Sequence, residues 1–187
     1  RFETERQALA VLDHPNVAGI FDAGSTDDGR PYFVMEHVQG VPISDYCNTE
    51  GLSVTERIKL VQAVCDAIQH AHNKGVIHRD IKPGNVLVSA EDGSPTVKVI
   101  DFGIAKALKG DSDASVTLTL AGILVGTPDY MSPEQADGSH VDIDTRSDVY
   151  SIGSMLYELL AGVAPFAGKL QGSVLNELLR VICEDDP

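Results

Sequence analysis

The chain has 187 residues, 43% of them hydrophobic and 22% charged, the balance of a globular domain with a real core rather than of a disordered segment. Lys and Arg number 14 against 28 Asp and Glu, giving a formal charge of -14. A field of that sign repels polyanions, so nucleic acid is not an expected partner and an anionic membrane surface is disfavoured.

Residues 1–12 place Phe2, Ala8, Leu9 and Leu12 at helical spacing among charges. His14-Pro15-Asn16 ends that helix, because the residue before a proline is pushed out of the α region. Residues 17–23 and 32–35 read as two strands joined by a polar loop from Gly24 to Gly29. Gly40 and Pro42 break the pattern and mark a hinge between two lobes. Ser53-x-x-Glu56 is a capping box opening a helix with Ile58, Val61, Cys65, Ile68 and His72 on one face and Gly75 as its left-handed stop. Short strands follow at 86–88 and 97–100, around a turn at Asp92-Gly93. Residues 104–130 form a long Gly/Ser/Thr-rich connection, and loops of that length usually carry function or are disordered. Residues 147–160 read as an apolar helix ended by Gly162 and Pro165, and residues 175–182 as a last helix.

Cys47, Cys65 and Cys183 are odd in number and far apart, which suits buried thiols in a reducing, cytoplasmic setting better than disulfides or a zinc site. The charged first residues hold no signal core, and the most apolar stretch, residues 118–125, is too short to span a bilayer. The chain starts on Arg1 and stops on Pro187 in an acidic run, so both ends read as cut.

The string His78-Arg79-Asp80-Ile81-Lys82-Pro83-Gly84-Asn85 is followed by Asp101-Phe102-Gly103, and then by Gly126-Thr127-Pro128-Asp129-Tyr130-Met131-Ser132-Pro133-Glu134. Taken singly, Asp80 would be a loop carboxylate or a cap, and Gly84 and Asn85 plain turn residues. Together and in this order the three segments resemble the protein kinase family over nearly the whole chain. The wording of Phe2-x-x-Glu5-Arg-Gln-Ala-Leu and of Ser132-Pro133-Glu134-Gln135 most resembles bacterial, eukaryotic-type (Hanks-type) serine/threonine members.

The resemblance implies an α+β, two-lobed kinase fold. Residues 1–38 would be a partial N-lobe with the regulatory helix, two strands and the start of the hinge. Residues 39–187 would be most of the helical C-lobe. It implies ATP-dependent phosphoryl transfer to Ser/Thr hydroxyls of protein substrates, with Mg2+ as cofactor and room for self-association in autophosphorylation. Asp80 would orient the substrate hydroxyl and accept its proton, and Lys82 would face the transferring phosphoryl. Thr127 would link these two. Asn85 and Asp101 would hold the metal through hard oxygen atoms, with Gly103 easing the turn. Met35 would guard the back of the adenine pocket, Glu36 and Val38 would offer backbone groups to the adenine edge, and Leu87 would pack beneath it. Leu9, Ile20, His78 and Phe102 would stack between the lobes, tied to Asp148, with His78 structural rather than proton-transferring. Glu5 sits where the family's helix carries the partner of the ATP-binding lysine, although such a glutamate is otherwise simply solvated. Arg79 would pair with a phosphate on the loop, with Thr117 and Thr119 the leading acceptors and Ser112 and Ser115 behind them. The loop could equally be a Ser/Thr-rich segment without a switch, or a strand over 116–120.

Two family parts are missing from these residues: a G-x-G-x-x-G loop, and a V-A-I-K strand ahead of Phe2. The arginine that would pair with Glu134 is also expected beyond Pro187. The isolated chain is therefore expected to bind ATP weakly and transfer phosphate slowly or not at all. A pseudokinase-like interaction module is the alternative. Small-molecule kinases of the aminoglycoside phosphotransferase type share the catalytic aspartate but lack the long loop and its Gly-Thr-Pro-x-Tyr-Met-Ser-Pro-Glu ending.

Overall fold

A computed structural model describes residues 12–28, 31–90, 93–102, 128–136, 143–170 and 175–185. Strands β1 (Ile20–Ser25) and β2 (Pro31–Met35) pair antiparallel, from Ile20 opposite Met35 to Ser25 opposite Pro31. Residues 17–19, read from the sequence as strand, stay outside β1. Val17 instead bridges to Val99 in parallel, with Ala18 N–H donating to the Val99 carbonyl at 2.9 Å and Val99 N–H to that of Asn16 at 2.8 Å.

The second sheet runs β3 (Val41–Pro42), β4 (Val86–Ser89), β5 (Thr96–Val99), all antiparallel. Alternation puts Val86, Val88, Val97 and Val99 inside and Leu87, Ser89, Thr96 and Lys98 on the other face. Gly93 turns the β4–β5 connection at φ +77°.

Helices α1 (Ile43–Thr49) and α2 (Val54–Asn73) follow the hinge. The capping box at the start of α2 is complete: Ser53 Oγ accepts from Glu56 N–H, and the Glu56 carboxylate accepts from Ser53 N–H at 2.8 Å. Gly75 stops the helix at φ +76°. Its buried stripe differs from the sequence expectation. Leu60, Val61, Val64, Ala67, Ile68 and Ala71 face the core, whereas Ile58 and Cys65 are exposed. Cys183 is exposed too, so of the three cysteines Cys47 alone is a buried thiol.

After a 3-10 turn at Pro128–Tyr130 and the short α3 (Pro133–Ala136), α4 (Thr145–Ala161) runs back through the core. Asp144 caps it by accepting from Arg146 N–H, and Gly162 ends it at φ +80°. Helices α5 (Ala167–Leu170) and α6 (Leu175–Glu184) complete the described chain. One core cluster joins Val17, α1, α2, the β4–β5 pair, Phe102 and the α4 residues Met155 and Leu159. A smaller one joins Ala136, Phe166, Val181 and Ile182. Burial of each such aliphatic side chain contributes about 1.5–3 kcal/mol, so the larger cluster sets the platform from which the polar loops project.

Candidate active site

Two loops leave this platform side by side: residues 77–85 before β4, and residues 100–102 after β5. A single imidazole joins them. His78 is fully buried; its Nδ1 accepts the Asp80 N–H at 3.3 Å, and its Nε2 lies 3.0 Å from the Ile100 carbonyl. A carbonyl only accepts, so Nε2 carries the proton and Nδ1 is bare. Burial holds the imidazole pKa below its ordinary value, against the nearby carboxylates of Asp148, Asp80 and Asp101, which raise it. The neutral tautomer thus fixes the peptides just ahead of Asp80 and of Asp101. The Ile100 N–H also donates to the Asn85 carbonyl at 3.0 Å.

Asp148, near the start of α4 and itself fully buried, holds the loop from below. Its Oδ2 accepts the His78 N–H at 2.9 Å and lies 2.7 Å from His72 Nε2, and its Oδ1 accepts the Arg79 N–H at 2.8 Å. The His78 and Phe102 rings meet at a tilt of 51° with centroids 4.6 Å apart, and Ile20 packs against the core cluster that holds Phe102, while Leu9 of the expected stack lies outside the described residues.

On this support sits a compact polar group. Asp80 Oδ2 receives Lys82 Nζ at 2.8 Å and Asn85 Nδ2 at 3.0 Å, and Asn85 Nδ2 also donates to the Asp80 carbonyl at 2.8 Å. The Asp80 side chain is 56% exposed, and an ion pair at such a site adds at most about 1 kcal/mol of stability. The arrangement is poorly explained by stability. Because the Asn85 amide nitrogen is spent on Asp80, its Oδ1 is the end left for another ligand. Arg79 and Asp101 both lie at left-handed φ, +68° and +61°, a conformation uncommon for residues other than glycine and concentrated at functional sites. Asp101 adopts the turn itself; Gly103, credited with easing it, lies outside the described residues.

At the hinge, Glu36 N–H donates to the Gly19 carbonyl at 2.8 Å, so of its backbone groups the carbonyl alone can serve an incoming ring. Its carboxylate accepts from Gly19 N–H at 3.0 Å and Lys98 Nζ at 2.8 Å, and the Lys98 bond is the main cause of a pKa held below the usual carboxylate value. A cavity of about 480 Å³ opens between Glu36–Gln39, Val38 included, and Ser89, Thr96 and Lys98. Leu87 is outside its lining, so the cavity lies beside the position expected for adenine. Glu5, Leu9, Ser112, Ser115, Thr117, Thr119 and Thr127 lie outside the described residues.

The segment 128–136 docks on α4. Ser147 Oγ donates to Glu134 Oε1 at 2.6 Å, Ser151 Oγ to the Tyr130 carbonyl at 2.8 Å, and Tyr130 OH to Glu158. Burial raises the Glu134 pKa, but the Ser147 bond and its other hydrogen bonds outweigh it and hold the carboxyl below its ordinary value. Burial, then the Glu158 bond, pushes the Tyr130 phenol well up. Two contributors were not singled out from the sequence. Arg57 ties α2 to the end of α4 through the Leu159 carbonyl, at 2.6 Å, and Gln135 Nε2 donates to the Arg79 carbonyl at 2.8 Å.

A family described as "Protein kinase domain" matches residues 1–184. The chain belongs to the protein kinase family. Serine/threonine-protein kinase PknB of Mycobacterium tuberculosis is 45% identical over 184 residues, which cover 96% of this chain and 28% of that protein. Serine/threonine-protein kinase Pkn1 of Myxococcus xanthus is 44% identical over 167 residues, 89% of this chain and 23% of that one. The chain thus spans about a quarter of the length of these curated relatives. The crystal structure of the Mycobacterium tuberculosis PknI kinase domain superposes with a TM-score of 0.68 at 26% identity, over 100% of this chain and 66% of that one. The fold is accordingly protein-kinase-like and α+β, and the relatives are bacterial kinases of the Hanks type.

Proposed function

We propose that this chain carries the catalytic loop of a serine/threonine protein kinase that moves the γ-phosphoryl group of ATP onto Ser/Thr hydroxyls of protein substrates. The observation that carries the reading is Asp80 Oδ2, held at once by Lys82 Nζ and Asn85 Nδ2 on a loop whose backbone is fixed by Asp148 and His78. Asp80 orients the incoming hydroxyl and takes its proton. Lys82, already beside that carboxylate, offers its ammonium to the charge that develops on the transferring group. Asn85 Oδ1 and the Asp101 carboxylate are hard oxygen donors that suit magnesium, and would hold it. Magnesium, which protein kinases use with ATP, neutralises the phosphate oxygens when bound. The Glu36 carbonyl and Val38 meet the adenine edge above Leu87, and Thr127 joins Asp80 and Lys82 once the docking segment is seated.

Residues 1–38 act as N-lobe and residues 39–187 as C-lobe. Arg79 Nε is buried with no partner among the described residues, which supports a role for Arg79 in receiving a phosphate from the loop at Thr117 or Thr119, with self-association allowing autophosphorylation. Among the described residues no helix is long and apolar enough to cross a membrane; the three free cysteines support a reducing, cytoplasmic setting for this domain. The first lysine is Lys59, so within residues 1–187 Glu5 has no lysine ahead of it to pair with, and this stretch alone would bind ATP weakly and transfer phosphate slowly or not at all.

The test is Asp80→Asn in the full-length protein, assayed with ATP, Mg2+ and a Ser/Thr-containing protein. A fall in kcat of about 10²–10⁴-fold is expected. Equal rates for wild type and variant would overturn the reading, and Mg-ATP binding without turnover in either would favour the pseudokinase-like module.

A further inference from the structure

Arg79 stands at φ +68°, a conformation strained for a residue with a Cβ, so something must hold it there. Two side chains grip its two peptide groups. On the N-terminal side Asp148 Oδ1 accepts the Arg79 N–H at 2.8 Å. On the C-terminal side Gln135 Nε2 donates to the Arg79 carbonyl at 2.8 Å, across 56 residues of sequence. That second peptide is the one that carries the Asp80 N–H, which donates to His78 Nδ1 at 3.3 Å. Gln135 and His78 therefore clamp opposite edges of the peptide plane from which the Asp80 Cα emerges, and its tilt sets where the Asp80 carboxylate points.

The Gln135 amide is itself oriented from its far end. Its Oε1 accepts from Ser132 N–H at 3.1 Å and lies 3.2 Å from Ser132 Oγ, and Ser132 is fully buried. Flipping the amide would face NH2 toward an N–H and a carbonyl toward a carbonyl, so the polarity is settled by its neighbours. Ser132 and Gln135 belong to the segment 128–136, which reaches α4 through Tyr130 and Glu134. A continuous run of hydrogen bonds thus leads from the segment's buried serine, through one glutamine amide, to the backbone of the loop that bears Asp80.

We propose that Gln135 is a positioning residue, and that it makes the aim of Asp80 depend on the segment 128–136 being seated. The proposal rests on the kinase reading of Asp80. With the segment in place, Gln135 holds the Arg79–Asp80 peptide in the aligned tilt; with it displaced, the left-handed Arg79 loses one of its two grips and relaxes. Gln135 touches no reacting atom and acts on alignment, so its loss lowers kcat while leaving the affinity for ATP alone.

The test compares full-length wild type with Gln135→Met, Gln135→Glu and Asp80→Asn. Met fills the space without the amide, and kcat is expected to fall about 10–100-fold with KM for ATP unchanged, the scale of a small misplacement of a reacting group. Glu keeps an oxygen for Ser132 but, when ionised, turns a second oxygen on the Arg79 carbonyl; when protonated it donates there as Gln does. Ionised throughout the neutral range, Gln135→Glu is therefore expected to lose at least as much kcat as Gln135→Met, again with KM for ATP unchanged. Rates for Gln135→Met within twofold of wild type, or a loss confined to KM, would overturn the inference. Should Gln135→Met fail to fold, a kcat for Gln135→Glu within twofold of wild type overturns it alone. If wild type and Asp80→Asn are equally slow, the kinase reading has failed and the inference falls with it; Asp80→Asn silent with Gln135→Met fully active sinks the inference alone.

Discussion

Lys98 Nζ and Glu36 Oε2 meet at 2.8 Å across 62 residues, joining β5 to the first residue of the hinge. The same lysine lies 3.3 Å from the Val17 carbonyl, and the same carboxylate oxygen takes the Gly19 N–H. Hinge, β5 and the segment before β1 are thereby pinned at one point. The pair is partly buried, with side-chain exposures of 21% and 33%, and its value lies more in fixing the hinge than in stability. Lys98→Met is expected to raise KM for ATP about three- to tenfold in the full-length protein, with kcat within twofold. Steady-state kinetics checks it, and a change confined to kcat would contradict it.

Asp148 accepts from two backbone donors, the buried His78 N–H and the part-buried Arg79 N–H. Asp148→Ala leaves both without their acceptor and is expected to cost about 3–5 kcal/mol. Urea denaturation followed by circular dichroism measures this, and a loss below about 1 kcal/mol would show that the loop finds other partners.

His78 gives the fold a pH dependence of known sign. Above its ordinary pKa of 6.5 the imidazole is neutral in both the folded and the unfolded chain and contributes no slope. Below that value the unfolded chain takes a proton that the buried, Nδ1-accepting ring refuses. Stability therefore falls as pH falls, by up to about 1.4 kcal/mol per pH unit, until the lower folded pKa is reached. Subtracting the same curve for His78→Phe, which cannot titrate, isolates the effect; identical slopes from pH 6.5 to pH 5 would disprove it.

Arg57 spends its guanidinium on carbonyls at three places. It donates to Leu159 O at 2.6 Å, Cys47 O at 3.1 Å and Leu52 O at 3.0 Å, and to Asn48 Oδ1 at 3.3 Å. Lysine reaches one such acceptor rather than a fork of them. Both Arg57→Lys and Arg57→Ala are expected to lose about 1–3 kcal/mol by thermal denaturation, with lysine restoring less than half of the alanine loss.

The close pair Gly40 and Val88 makes a sharper packing test. A Cβ on Gly40 would stand 2.9 Å from the Val88 carbonyl oxygen, which is backbone fixed in a sheet. On Gly24 the obstruction is the end of the exposed Tyr32 side chain, which can swing away. Gly40→Ala is expected to destabilise by about 1–3 kcal/mol and Gly24→Ala by less than 1 kcal/mol, read from urea midpoints.

What the sequence made legible was local or family-borne. The Ser53–Glu56 box, the glycine stops at 75 and 162 and the β4–β5 hairpin follow from short-range rules, and each stands where those rules place it. On α2, where Val61 and Ile68 face the core as expected but Ile58 and Cys65 do not, bulk is a poor sign of burial. Ala67 and Ala71, both fully buried, let α2 lie close to its neighbours, while Ile58 turns outward at 40% exposure. Arg57 and Gln135 were illegible for another reason. Their acceptors are main-chain carbonyls 102 and 56 residues away, and a carbonyl has no side-chain identity to leave a trace in the sequence. The Lys98–Glu36 pair is hidden differently: both partners are side chains, two ordinary charges whose meeting across 62 residues depends on the fold.

One face of α4 serves both halves of the site. Ser147 and Ser151 anchor segment 128–136 through Glu134 and Tyr130, and Asp148, between them in sequence, anchors the loop that bears Asp80. A rotation of this helix about its own axis would move both anchorages together, since 3.6 residues make a turn and these three share barely more than one. Substitutions that repack the seat of segment 128–136 on α4 will tend to disturb the loop that bears Asp80 as well. Compensating changes should then gather on the buried side of α4 rather than around Asp80.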